Sequence, residues 1–173
     1  MFNLMANDVL EIVKNVSSIT HGHEISILGC YMYTIYAIRL LCGDGKYDAY
    51  EYIKKLDYSM FKKENVRKYD RLLKSDISKL NINEIKSSGY IVDTLEATIW
   101  VVLNTNNFNQ AIIGAINLGD DTDTVGACTG GLAGIIYGAD QMNENWKKSL
   151  LKYDYIKKLC EEFDKKMEIQ FEI

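Results

Sequence analysis

Apolar residues recur along most of this chain at the three- and four-residue spacing of an α-helix. From about Asn7 to Ser17 they form one stripe, which consists of Val9, Leu10, Ile12, Val13 and Val16. A longer helix is expected from about Glu24 to Cys42, ending at the stop signal Gly43-Asp44-Gly45. A third is expected from about Tyr47 to Phe61. The β-branched residues follow the helical period, so strand signals are weak throughout.

The middle of the chain alternates between polar and strongly apolar segments. Residues Lys62 to Glu84 are rich in charge, which predicts one or two short helices among exposed loops. The segment from about Ile91 to Leu103 has apolar residues nearly all round, which predicts a central helix. Asn107 is expected to cap the next helix, with Gln110 completing a capping box. That helix should end near residue 117.

Two further segments complete the pattern. A helix is expected from about Thr124 to Tyr137, ending at Gly138. The segment from Asn143 to about Met167 is amphipathic and charged, which is typical of an outer helix pair. There is no linker, low-complexity tract or repeat. Residues 1–173 are therefore expected to form a single all-α domain.

Composition narrows the function classes. The chain is 47% hydrophobic and 25% charged, as in ordinary soluble globular proteins. Its net charge of −4 provides no basic surface for nucleic acid or anionic membranes. The longest strongly apolar stretch, Ala127 to Ala139, is interrupted by glycines and too short to span a bilayer. No signal peptide is visible at the start. These features predict a cytoplasmic protein with no nucleic-acid or membrane partner.

The four cysteines lie outside any CxxC pair, in apolar or helical surroundings. A zinc site is therefore not expected, and reduced, buried thiols in a cytosolic protein are the default interpretation.

The segment Gly119-Asp120-Asp121-Thr122-Asp123-Thr124 carries three carboxylates and two hydroxyls between two apolar helices. Clustered carboxylates repel one another, so a buried set needs a cation or a proton to offset the charge. Mg²⁺ prefers such hard oxygen ligands. Helix capping is the alternative, because Asp and Thr are favoured at helix N-termini. One cap explains one or two of these residues, and the local chemistry leaves both interpretations open.

Glycines follow the acidic segment at four-residue intervals, at Gly126, Gly130, Gly134 and Gly138. Such a row lies along one helix face. Each internal glycine costs about 1 kcal/mol of helix propensity relative to alanine. The row therefore predicts that another helix, or a ligand, approaches the backbone closely. It also predicts that the acidic segment begins a deeply buried helix.

Three sequence blocks resemble those of a known family. They are Asn117-Leu118-Gly119-Asp120-Asp121-Thr122-Asp123-Thr124-Val125-Gly126-Ala127, continued by Thr129-Gly130-Gly131-Leu132-Ala133-Gly134 and Tyr137-Gly138; Ser18-Ile19-Thr20-His21; and Ser88-Gly89-Tyr90-Ile91-Val92-Asp93-Thr94-Leu95-Glu96-Ala97. In this order and spacing they resemble the ADP-ribosylglycohydrolases, which include the dinitrogenase reductase-activating glycohydrolases. The resemblance covers most of the chain from about Leu10 to Tyr137.

The resemblance implies an all-α bundle with a dinuclear magnesium site, with Mn²⁺ as the alternative metal. Such proteins cleave the glycosidic bond between ADP-ribose and an acceptor, commonly an arginine side chain. By position, Asp121, Asp123 and Thr124 match the metal ligands, and the two carboxylates also match the catalytic role.

The resemblance further assigns ligand-binding positions. His21 matches a histidine near the ligand, with a backbone-bonded helix N-terminal residue as the alternative role. Gly89 and Tyr90 match a stretch near the bound nucleotide. Gly119 and Asp120 belong to the metal-binding turn, where Asp120 stands in place of a second glycine.

One departure leaves activity open. The family's Gly-Asp and Thr-Asp-Asp-Thr blocks, which supply the other half of the metal site, have no match here. Three functions remain: an ADP-ribosyl hydrolase, a non-catalytic protein that binds ADP-ribose or a partner protein, and a helical scaffold whose acidic turn is only a cap. The expected partners are ADP-ribose or an ADP-ribosylated protein, together with a homodimer partner or a separate N-terminal polypeptide. Exposed apolar surface is also expected.

Overall fold

The computed structural model describes residues 6–171 and the burial of side chains 8–167. Within residues 6–171 the chain is all-α, as predicted, with no strand. The α-helices are α1 (Ala6–Ser17), α2 (Glu24–Leu41), α3 (Lys46–Lys54), α4 (Lys63–Val66), α5 (Asp70–Lys74), α6 (Ile91–Asn104), α7 (Phe108–Asn117), α8 (Thr122–Tyr137), α9 (Glu144–Ser149) and α10 (Tyr153–Phe171). Short 3₁₀ helices span Arg67–Tyr69, Ile77–Lys79, Ile82–Glu84 and Ala139–Gln141.

Helix α6 lies at the centre of the bundle and packs against α2, α7 and α8. One face buries Leu95, Ile99 and Val102 against a core built mainly from α1, α2, α3 and α5. The opposite side buries Ala97 and Val101 against α7 and α8. The prediction of a central helix is confirmed, because a helix that is apolar on both sides must be covered on both sides.

Helix α2 is long and apolar enough, by length and composition, to cross a membrane. In this fold it is a core helix that packs against α1, α3 and α6. Its residues Leu28, Met32 and Tyr36 are fully buried. Core helices of this kind carry the same composition as a spanning segment.

The segment from residue 62 to residue 84 is more buried than its polar composition indicated. Tyr69, Leu72 and Ile77 are almost completely buried. The hydroxyl of Tyr50 donates a hydrogen bond to the carbonyl of Leu72 at 2.6 Å, which ties α3 to this segment. The prediction of short helices among exposed loops is confirmed, since most of the segment is exposed, but a few widely spaced apolar residues anchor it to the core. Helix α3 ends at Lys54, short of its predicted end near Phe61, and so does not reach this segment.

The local signals at helix ends mostly hold. The side chain of Asn107 accepts a hydrogen bond from the backbone N–H of Gln110 at 2.9 Å, as predicted. The Gln110 side chain accepts from the N–H of Asn106 rather than that of Asn107, so the capping box is shifted by one residue. Gly138 ends α8 with a positive φ of 80°, a conformation that suits glycine.

The cysteines are free thiols. Cys30 and Cys128 are half-buried, whereas Cys42 and Cys160 are exposed. The expectation of uniformly buried thiols was therefore wrong for two of the four. Cys42 follows the last turn of α2, and Cys160 lies on the outer helix α10, where apolar sequence neighbours do not produce burial.

Exposed apolar surface was also predicted, and it is present. Large apolar side chains at least 49% exposed are Ile12, Val16, Ile19, Leu41, Tyr47, Ile113, Ile116, Leu150, Leu151, Tyr155 and Phe163. They concentrate on α1, α7 and α10.

Candidate functional site

The acidic segment forms the turn between α7 and α8. Gly119 and Asp120 both have positive φ, at 80° and 56°. Glycine adopts this conformation freely and aspartate is one of the few other residues that tolerate it. These two residues reverse the chain within a very short loop. The reversal places Asp121 at the position that precedes the first turn of α8.

A buried serine holds this turn in place. The backbone N–H of Asp121 donates to the carbonyl of Ser87 at 3.0 Å. The Ser87 hydroxyl donates to the carbonyl of Gly119 at 2.9 Å, and Ser87 is 4% exposed. The loop before α6 is thus fastened to the loop before α8. Sequence reasoning missed Ser87, although the Ser-Ser-Gly triplet that introduces α6 was a signal of an ordered loop.

Two carboxylates and one hydroxyl converge at the start of α8. The Thr124 hydroxyl donates to Oδ1 of Asp121 at 3.0 Å. The pKa of the Asp123 carboxyl lies below its ordinary value, because the Asp121 side chain and the backbone N–H groups of Asp123 and Thr124 hydrogen-bond to it. Asp123 therefore stays ionised at neutral pH and presents a negative charge beside Asp121.

The turn is more exposed than expected. Asp121 is half-buried, whereas Asp120, Asp123 and Thr124 are exposed. The prediction of a deeply buried acidic segment was wrong, since α8 buries its interior residues, such as Val125, and leaves its first turn in solvent. Hydrated carboxylates need no cation to offset their charge, so clustering alone does not require a metal here.

Helix capping accounts for part of the arrangement, because the Asp123 carboxyl accepts from backbone N–H groups in the first turn of α8. Asp121 occupies the N-cap position of α8, yet its side chain accepts no capping hydrogen bond from the helix. Its carboxylate instead meets the Thr124 hydroxyl and the Asp123 side chain. An N-cap aspartate normally accepts from a backbone N–H of the first turn. The oxygens of Asp121 instead lie against the Thr124 hydroxyl and Gly89.

The donor set suits part of the coordination shell of a hard divalent cation. It offers two carboxylates and a hydroxyl, the oxygen ligands that Mg²⁺ and Mn²⁺ prefer. Among residues 6–171, no cluster of three or more His, Cys, Asp or Glu side chains is placed to bind a metal. These residues therefore fit as one side of a metal site, whose remaining ligands must be waters, a bound substrate or other groups.

Gly89 lies against the acidic turn. A Cβ at this position would lie 3.0 Å from Oδ2 of Asp121, so the absence of a side chain lets the carboxylate keep its place. Tyr90 follows, 45% exposed, at the start of α6. The Ser88 hydroxyl donates to Oδ2 of Asp93 at 2.7 Å, which braces this loop on α6. Predicted residues Gly89, Tyr90, Asp121 and the rest of the turn thus belong to one surface.

His21 lies in a different loop, the exposed turn between α1 and α2. Its Nδ1 is 3.0 Å from the Thr20 hydroxyl. His23 is exposed and caps α2 by accepting from the N–H of Ile25 at 3.2 Å. The helix N-terminal role that was the alternative for His21 therefore falls to His23. A ligand-binding role for His21 stays a prediction.

The glycine row of α8 does not mark a close helix approach along its length. A Cβ at Gly130 would lie 3.3 Å from Ile112 of α7, whereas Gly134 has no neighbour within 4 Å. The tight position is Gly131, off the row, where a Cβ would lie 2.7 Å from the Tyr33 hydroxyl. The prediction from four-residue spacing therefore holds for Gly126 and Gly130, which lie against α7, and was wrong for Gly134 and Gly138.

A cavity of about 230 Å³ lies among α2, α6 and α8. Its wall includes the half-buried Cys30 and Cys128 and the hydroxyl-bearing Tyr33 and Thr98. The Tyr33 hydroxyl donates to the carbonyl of Cys128 at 3.0 Å. Burial raises the pKa of the Cys128 thiol, and the nearby Cys30 and Asp121 side chains add to the effect. The Cys128 thiol is therefore a poor nucleophile, which agrees with a structural role.

The fold and this site match one known class of protein. A family model described as ADP-ribosylglycohydrolase matches residues 1–172, so the chain belongs to the ADP-ribosylglycohydrolase family. An ADP-ribosylarginine hydrolase Tri1 from Serratia proteamaculans is 49% identical over 80 residues, which are 46% of this chain and 22% of that protein. An ADP-ribosyl-[dinitrogen reductase] glycohydrolase from Rhodospirillum rubrum is 40% identical over 65 residues, 38% of this chain and 22% of that protein.

A solved structure supports the same fold. A chain of an ADP-ribosylglycohydrolase-related protein complex superposes with a TM-score of 0.75 at 23% identity. The superposition covers 88% of this chain and 51% of that chain. The chain thus spans about half the length of this solved relative, and less of the two curated relatives.

Proposed function

We propose that this chain forms the metal- and ADP-ribose-binding part of a hydrolase that removes ADP-ribose from a modified acceptor. The observation that carries the proposal is the unusual N-cap residue Asp121. Its carboxylate makes no helix-capping bond and is held beside Asp123 by the Thr124 hydroxyl. Two Tri1 relatives, each 49% identical over the matched region, are named ADP-ribosylarginine hydrolases, which favours an arginine-linked substrate.

In this proposal Asp121, Asp123 and Thr124 would hold a dinuclear magnesium centre, with Mn²⁺ as the alternative. Mg²⁺ would there supply charge stabilisation for the reacting ribose and orient a water. Asp123 is suited to holding a cation because its carboxylate is exposed and ionised at neutral pH. Thr124 fixes the rotamer of Asp121. A carboxylate of the pair accepts the proton of the attacking water.

The loop from Ser87 to Tyr90 has the complementary task of positioning the nucleotide. Ser87 fixes the turn on which the carboxylates are carried. Gly89 lets the Asp121 carboxylate lie close to the loop backbone, and the exposed ring of Tyr90 is available to stack on a base or ribose. His21 would contact the phosphate or ribose. The positioning groups therefore belong to rigid loops at the ends of α6 and α8, as a precise site requires.

One observation favours a second function, the binding of ADP-ribose or a partner protein without catalysis. Among the residues that the structure describes, no third carboxylate joins Asp121 and Asp123. A centre with so few ligands binds metal weakly unless another polypeptide or a second copy completes it. The two functions share a binding step and differ in turnover.

Calorimetric titration of ADP-ribose into the protein, with Mg²⁺ and then with EDTA, tests the shared step. Saturable binding that requires Mg²⁺ and is abolished by Asp121→Asn supports the proposal. Asp48→Asn is the matched control, because it removes the same charge from an exposed residue outside the turn and should leave affinity unchanged. Absence of heat at millimolar ligand would contradict the hydrolase and any ADP-ribose binding by this chain.

A turnover assay then separates the hydrolase from the non-catalytic binding protein. Release of ADP-ribose from an ADP-ribosylated arginine peptide, lost in Asp123→Asn, is expected of the hydrolase. Binding without release, at protein concentrations above the dissociation constant, would identify the non-catalytic form.

A further inference from the structure

We propose that α10 pairs with the α10 of a second copy of this chain, in antiparallel orientation, to form a homodimer. This inference rests on a surface distant in sequence from the acidic turn and is independent of the hydrolase proposal. Among the other helices, α10 contacts mainly α9. It nevertheless carries one continuous apolar face, and such a face on a surface helix normally has a partner.

The apolar face follows a coiled-coil repeat. Its residues are spaced by three and four, at Tyr153, Ile156, Cys160, Phe163 and Met167. Ile156 is 40% exposed and Phe163 is 62% exposed. Alternating spacings of three and four residues place side chains along the seam between two supercoiled helices. Most of the stability of a helix in a protein comes from packing of its apolar face, so a partner for this seam stabilises α10.

The seam opens into a groove that the body of the protein leaves unfilled. The groove has a volume of about 730 Å³ and lies between α10 and helices α7 and α9. Its apolar wall includes Phe108, Ile112, Trp146, Ile156 and Cys160. The space is large enough for several apolar side chains from a second helix. Phe163 and Met167 lie farther along α10 than the residues of the wall, so they are free to enter the groove of another copy.

Charge distribution selects the second copy and its direction. In an antiparallel pair with Cys160 opposite the partner's Phe163, Ile156 lies opposite the partner's Met167. Beside the apolar seam, Lys157 then lies opposite the partner's Asp164. The two-fold symmetry repeats every contact, so two opposite-charge pairs flank the seam. In a parallel pair Asp164 would face the partner's Leu159 instead, and neither charge would meet its complement.

Charge reversal tests this register in the full-length protein. Asp164→Lys places Lys157 against a like charge in the dimer, while on its own helix the new lysine lies one turn after Glu161, which favours the helix. We expect the dimer dissociation constant in sedimentation velocity to rise about tenfold or more. The double variant Lys157→Asp/Asp164→Lys restores complementarity and should return the constant to within about threefold of the unchanged protein.

A matched control is provided by the next residue. Lys158 makes an i,i+4 ion pair with Glu162 at 3.8 Å, as Lys157 does with Glu161 at 3.9 Å, but it points away from the seam. Lys158→Asp changes the net charge by the same amount as Lys157→Asp and should leave dimerisation unchanged. Circular dichroism of each variant shows whether α10 is retained.

A chemical readout gives an independent check. Cys42 and Cys160 are both exposed in the single chain. In the dimer Cys160 should be alkylated more slowly than Cys42, and Phe163→Glu should equalise the two rates. A protein that stays monomeric at high micromolar concentration overturns the proposal. Failure of the double charge reversal to restore the dimer overturns the antiparallel register.

Discussion

The backbone N–H of Asp121 donates a hydrogen bond to the carbonyl of Ser87 at 3.0 Å. This bond joins the loop before α6 to the loop before α8, the two loops that carry the candidate site. The Ser87 hydroxyl reinforces it by donating to the carbonyl of Gly119. The position of the carboxylates therefore depends on a residue that carries no charge.

Replacing Ser87 with alanine should destabilise the protein by about 1–2 kcal/mol, because a buried hydroxyl and its hydrogen bond to Gly119 are lost. Urea denaturation measures the change. Ser149→Ala is a suitable control, since the Ser149 hydroxyl also bonds to a backbone carbonyl but is exposed; it should cost less than about 0.5 kcal/mol. Equal effects of the two substitutions would show that Ser87 does not fasten the turn.

Gly89→Ala should weaken Mg²⁺-dependent binding of ADP-ribose by about tenfold or more, while changing the free energy of unfolding by less than about 1 kcal/mol. The new Cβ would lie 3.0 Å from Oδ2 of Asp121. The Asp121 carboxylate can rotate away from this Cβ at low cost in stability. The rotation moves it away from Asp123, which weakens the binding site. Calorimetric titration measures the affinity. Gly134→Ala, on the same site-bearing helix α8 but with no neighbour within 4 Å, should bind normally and gain about 0.5–1 kcal/mol in stability.

Arg71→Ala should cost about 2–3 kcal/mol. The guanidinium of Arg71 forms an ion pair with Glu96, whose side chain is 4% exposed on the central helix. Removing the cation leaves an uncompensated buried carboxylate. Glu96→Gln in the Arg71→Ala background should recover part of the loss, as a double-mutant cycle in denaturant would measure. No recovery would show that Arg71 acts through packing rather than charge.

We expect the protein to lose stability at alkaline pH, because its buried tyrosine hydroxyls must then ionise. Burial raises the pKa of Tyr33 to about 12 and that of Tyr50 to about 12. Because the folded-state pKa exceeds the ordinary value near 10, the neutral phenols contribute stability that is complete below that pH. This stability is lost as pH rises towards about 12. Phenolate absorbance and circular dichroism should therefore change together.

The control for this pH dependence is Tyr33→Phe, which removes one raised pKa and the hydrogen bond to Cys128. It should reduce the slope of stability against pH above 10 while lowering stability at neutral pH. An unchanged slope would place the alkaline transition on other groups.

Helix periodicity and end signals made the architecture predictable. The central position of α6 followed from its apolar circumference, and the Asn107 cap followed from its residue type. The acidic turn was also visible, since three aspartates in five positions stand out in any context. Burial was less predictable. A polar run such as residues 62–84 conceals Tyr69 and Leu72, whose burial depends on what α2, α3 and α6 place above them.

The sequence by itself determined the local elements, the turn chemistry and the family, because these depend on residue type and on short spacing along the chain. The tertiary structure alone decided that Asp123 is exposed, that the Asp121 side chain makes no capping bond to α8, and that Gly131 has a closer neighbour than any glycine of the row. It also decided that Ser87 fastens the site. Each of these outcomes is a contact between segments far apart in the chain, and no local pattern specifies which residues meet across that distance.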